Sequence, residues 1–130
     1  MTKTEKIVKE ITERKSEFGQ MSDNSEKIVS GVIATLERVS VDVVYNRAVC
    51  ECYALRVTYD KLEKEFTELY REYYSKASKY GDTRHMDYVN YCELKRIHVE
   101  AEQKELHYYE VRGDYEVLVE IREILKKYVN

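Results

Sequence analysis

Apolar residues recur by threes and fours along most of this chain, the period of a helix face and not of a strand. The longest run is Tyr45, Ala48, Cys52, Leu55, Tyr59, Leu62, Phe66, Leu69 and Tyr73, which alternates the two spacings without a miss. A second run, Leu94, Ile97, Ala101, Lys104, Tyr108, Val111, Tyr115 and Leu118, keeps the spacing and is interrupted once, by Lys104. Seams sustained over this length predict two long helices packed in the manner of a coiled coil. Upstream, Ile7, Ile11 and Phe18 predict a helix from Thr4 to Phe18, ended by Gly19. Ile28, Val29, Val32, Ile33, Leu36 and Val39 predict another from about Ser25, with Asp23 and Glu26 at capping-box spacing. The apolar phase shifts near Ser40, where a break is predicted, with Ser40 capping the next helix.

Between the two seams lies Tyr80-Gly81-Asp82-Thr83. Glycine reaches the left-handed conformation that closes a helix, and Asp82 or Thr83 suits the cap of the next. A reversal between Gly81 and Asp82 makes the numbers of facing residues sum to 163. Leu69 then meets Leu94, Phe66 meets Ile97, Leu62 meets Ala101, Leu55 meets Tyr108, Cys52 meets Val111 and Lys76 meets Asp87. The expected fold is all-α: a long antiparallel helical hairpin over 41–129, with two shorter N-terminal helices in 1–39 packed on it, bundle-like, as one domain. Helices of that length leave apolar surface uncovered, which a homodimer through the long helices would bury.

Composition supports this picture and narrows the function. The chain has no proline and four glycines, so the strongest helix breakers are nearly missing. Acidic and basic residues number 25 and 22, a net charge of −3, where a nucleic-acid-binding domain is expected to be basic. No apolar run has the length of a signal peptide or a membrane span, and three cysteines cannot all pair internally. These features predict a cytoplasmic protein with reduced, buried thiols and no membrane partner.

Candidate chemistry is sparse. No nucleophile elbow, Walker loop or dinucleotide fingerprint occurs, so neither an enzyme nor a cofactor is expected. Cys50 and Cys52 sit two apart on a helix and point to nearly opposite sides, which argues against shared metal binding. In the 163 register His98 lies near Glu65 and on the face of Glu102, a grouping that surface residues beside a seam also produce. No metal site is assigned. Arg112-Gly113-Asp114 matches an extracellular adhesion tripeptide but falls inside a predicted helix, where Gly113 marks a point of weakness.

Two surfaces remain as partner-binding candidates. Tyr70, Arg71, Tyr74, Tyr80, Arg84, Tyr88 and Tyr91 gather around the bend, and Tyr and Arg are the residues enriched at binding hot spots. Glu116, Glu120 and Glu123 share one face of an acidic final helix. The function read from these features is a non-enzymatic protein–protein interaction protein: a small helical adaptor, chaperone or inhibitor acting on another protein. In size and charge it is comparable to small helical products of phages and mobile elements, an analogy of composition alone. The alternative is a nucleic-acid-binding regulatory protein using the Tyr/Arg/Lys-rich tip.

Overall fold

The computed structural model describes residues 1–18, 21–81 and 86–130. Among these residues there are four α-helices and no strand. Helix α1 (Lys3–Lys15) runs into a 3-10 turn (Ser16–Phe18); α2 is Asp23–Leu36, α3 is Val41–Tyr80 and α4 is Tyr88–Lys126. The two long helices pack closely, as the all-α helical hairpin bundle requires.

Each start has a local cause. Thr2 caps α1, its hydroxyl accepting the Glu5 amide at 3.1 Å. Helix α2 is capped by Ser22, which accepts the Ser25 amide at 3.0 Å, and not by Asp23 as the capping-box spacing suggested. Ser22 holds the extended backbone that a cap needs (ψ 163°), whereas Asp23 is already helical. Asp23 and Glu26 instead lie in the first turn, where the helix dipole favours negative charge. The break near Ser40 is present: α3 begins at Val41, and the Ser40 carbonyl accepts the Val44 amide at 3.2 Å. Gly19, predicted to end the first helix, lies outside the described residues. Helix α4 passes through Gly113 without a break.

The chain forms two compact units. The first comprises Met1–Val57 and Glu110–Asn130. Its core draws on all four helices: Ile7 and Ile11, Val29 and Leu36, Val44, Ala48 and Cys52, then Val117, Leu118, Ile121, Ile124 and Leu125. Arg14 of α1 reaches Glu120 of α4 at 3.0 Å, while Lys127 and the Tyr128 hydroxyl both donate to Glu10. The second unit, Thr58–Tyr109, is a two-helix pair. Leu62, Leu94, Ile97, Ala101 and Tyr108 are buried in it, with Phe66, Leu69 and Tyr73 half-buried.

Every seam position named from the sequence is buried or half-buried, but the register between the seams differs from the one expected. Lys76 pairs with Glu93 at 2.5 Å, not with Asp87, and Lys104 pairs with Glu65 at 2.6 Å. Both pairs sum to 169 where 163 was expected, a slip of six residues and close to one heptad. The helix ends explain it. Helix α3 does close on Gly81, which is left-handed (φ 81°) and donates its amide to the Ala77 carbonyl at 3.2 Å. Helix α4, however, starts at Tyr88, with the Asp87 carboxylate accepting the Asn90 amide at 2.9 Å. The expected caps Asp82 and Thr83 lie outside the described residues. In the first unit Cys52 shares a core cluster with Val117, Leu118 and Ile121, and Arg122 lies near its thiol.

Candidate functional site

The turn end of the second unit carries the tyrosines singled out above, and the structure divides them. Tyr70 is half-buried, its ring edge-on to Phe66 at 6.2 Å and to His98 at 5.9 Å. Burial, then the carboxylates of Glu105 and Glu102, push its phenol pKa up. Burial raises the Tyr80 phenol pKa, and the hydrogen bond its hydroxyl donates to Glu93 at 3.1 Å raises it further. These two rings are internal packing. Tyr74, Tyr88 and Tyr91 face outward, 65%, 79% and 45% exposed, and Val89 beside them is 74% exposed. Arg71 is exposed; Arg84 lies outside the described residues. Lys76 is held by Glu93 and by Glu72 at 3.1 Å, which raises its pKa and leaves less positive charge at this end for a phosphate.

The Lys76–Glu93 and Lys104–Glu65 pairs make acid sensitivity a consequence of the register. Hydrogen bonds from Lys76 and then Tyr80 lower the Glu93 pKa, and the Lys104 bond lowers that of Glu65. A carboxylate with a depressed folded-state pKa stabilises above its unfolded value and loses that contribution as pH falls through the folded one. Thermal melting followed by circular dichroism is therefore expected to be level from neutral pH down to the ordinary glutamate range and to fall below it. The Glu65→Gln/Glu93→Gln double variant should fall less steeply.

The register also removes the His98 grouping. Glu65 is taken by Lys104, while His98 packs against Tyr73 at 5.0 Å and meets Glu102 through Nδ1 at 2.9 Å. No cluster of three metal-ligating side chains occurs among the described residues. Of the thiols, Cys52 is buried and its pKa pushed up by that burial, but Cys50 and Cys92 are exposed, contrary to the expectation of buried cysteines.

On the acidic face each carboxylate has a cation beside it. Glu116 meets Arg112 at 3.3 Å, Glu120 meets Arg14 at 3.0 Å and Glu123 meets Arg122 at 3.5 Å. Partly neutralised in this way, the face presents less charge than the sequence count suggests.

A buried polar cluster in the first unit joins α4 to the start of α2. Asp114 is only 4% exposed. It accepts the Ser25 hydroxyl at 2.5 Å, the Asn24 amide at 2.6 Å and the Ser22 hydroxyl at 3.2 Å. The carboxylate thus sits over the start of α2 and satisfies its cap residues, a placement that the helix dipole favours. The aspartate of the adhesion-like tripeptide is consumed by this contact. The signal was present: Asp114 stands among Val111, Val117, Leu118 and Ile121 on an apolar face, and Ser22, Asn24 and Ser25 supply three matching donors.

A groove of about 260 Å³ between α2 and α3 is floored by Ile28, Val32, Val44, Ala48 and Leu118 and rimmed by Lys27, Arg47 and Glu51. Small-molecule sites usually span about 300–1,000 Å³ with a few convergent polar groups, and here the rim charges are mixed. No family model, curated protein or solved structure matches the chain.

Proposed function

We propose that this chain is a non-enzymatic protein–protein interaction protein, a small helical adaptor, chaperone or inhibitor that engages another protein through the turn end of its second unit. The observation that carries the reading is the exposure of Tyr74 and Tyr91 at that end, with Arg71 alongside. Large apolar side chains grouped on a surface mark interaction sites, and tyrosine and arginine dominate binding energy when a partner covers them. The weight falls on this end and not on Glu116, Glu120 and Glu123, whose charge is shared with neighbouring arginines. The nucleic-acid alternative draws on the same tyrosines but has fewer unengaged cations to draw on. A cytoplasmic setting accords with three free cysteines, and a homodimer remains part of the proposal.

Affinity capture with the chain as bait, read by mass spectrometry, tests it. Tyr74→Ser/Tyr91→Ser is expected to lower the captured partner at least about tenfold while leaving helix content unchanged, since truncated hot-spot residues each cost 2 kcal/mol or more, roughly. Equal capture by the variant would move the site elsewhere. Steeply salt-dependent binding of labelled DNA or RNA would favour the alternative.

A further inference from the structure

Helix α4 carries a second apolar stripe that nothing in its own unit covers. Tyr88, Cys92, Val99, Leu106 and Tyr109 recur at spacings that fit alternating fours and threes, with Lys95 and Glu102 filling the two remaining positions. All seven are exposed; Tyr88 is 79%, Val99 42%, Leu106 65% and Tyr109 58% exposed. This stripe is distinct from the one facing α3, where Leu94, Ile97, Ala101 and Tyr108 are buried. At 1.5 Å per residue it runs for about 30 Å, some three heptads. A shallow depression lined by Cys92, Lys95, Arg96 and Val99 lies along its middle.

We propose that this face takes a second copy of the chain, with the two α4 helices antiparallel about a twofold axis at Val99. The proposal rests on the homodimer part of the interaction reading and supplies its surface and orientation. The stripe is self-complementary. With Val99 on Val99, facing numbers sum to 198: Cys92 meets Leu106, and, offset by one residue or about 1.5 Å, Tyr88 meets Tyr109 and Lys95 meets Glu102 of the other copy. The two polar interruptions of the stripe thus meet each other with opposite charge, twice per dimer, as a twofold contact requires. The small Cys92 faces the larger Leu106, which suits interdigitation. A parallel pairing would instead stack Lys95 on Lys95 and Glu102 on Glu102. Charge that opposes one pairing while favouring the other is how helix surfaces select orientation. Lys95 has no ion-pair partner among the described residues, where Glu102 meets His98 and lies near the Tyr70 phenol.

Sedimentation equilibrium of the full chain at about 10–100 µM tests the proposal. The expected result is a dimer, weakened about tenfold or more by Lys95→Glu or by Glu102→Lys alone and restored in the Lys95→Glu/Glu102→Lys double variant. Only the antiparallel arrangement predicts that rescue, because a parallel one stacks like charges in all three variants. Oxidation adds a direct readout. In a Cys50→Ser background, Leu106→Cys should yield a dimer bridged from position 106 of one copy to Cys92 of the other, with no Cys92–Cys92 bridge. A chain monomeric at 100 µM, a double variant no tighter than the single ones, or a dominant Cys92–Cys92 link overturns the proposal. A monomer that still captures its partner through Tyr74 and Tyr91 would do so while leaving the interaction function standing.

Discussion

Replacing Asp114 with alanine is expected to destabilise the first unit by about 2–4 kcal/mol, seen as a lower urea midpoint at unchanged slope. The substitution removes an acceptor from three donors at once: Ser22, Asn24 and Ser25. Ser25 is itself 2% exposed, so its hydroxyl has little access to water in compensation. Leaving a buried donor unpaired costs roughly 1–3 kcal/mol, more than the net worth of the bond that was lost. The start of α2 would also lose the negative charge placed over it. Asp114→Asn is expected to fall between the two, because an amide keeps the shape and one acceptor oxygen. Hydrogen exchange should show the loss first in the amides of α2. Wild-type stability in the alanine variant would mean that Asp114 merely rests beside the α2 cap.

Ile121→Ala should cost a comparable or larger amount, about 3–5 kcal/mol. Ile121 is fully buried and belongs to the same cluster as Ile7, Ile11, Val29, Leu118, Ile124 and Leu125, all 0–1% exposed. Truncation there loses the transfer energy of the removed carbons and leaves a cavity that α1, α2 and α3 cannot close without disturbing their own contacts. Ile121→Val removes a single methylene and is expected to cost only about 0.5–1.5 kcal/mol. The ratio of the two losses checks whether the site is as tightly packed as its burial indicates. A small loss for alanine would show that the surrounding helices collapse readily into the space.

These two residues also mark how far the pattern of the chain reached. Ile121 lies beyond the last seam position named from the sequence, yet the spacing from Leu118 continues straight into it. Asp114 is only half legible in the sequence: an acid on an apolar face can be read there, while the three donors that receive it lie some 90 residues away. The tyrosines divided for a similar reason. Tyr70 and Tyr80 resemble Tyr74 and Tyr91 in sequence, and only the partners across the helix pair, His98 and Glu93, draw the first two inward.

Helix content, the break at Ser40, the closure of α3 on Gly81 and the identity of both seams are written in the order of residues, because each depends on contacts within a turn or two of the chain. The pairing of one seam with the other is not. A stripe that repeats every seven residues matches its partner almost equally well after a slide of one heptad, so composition along the face cannot choose between the two. The choice falls to where α4 begins, at Tyr88 behind the Asp87 cap, and to the charges beside the seam. Lys76 with Glu93 and Lys104 with Glu65 then hold the register that the tertiary structure selects.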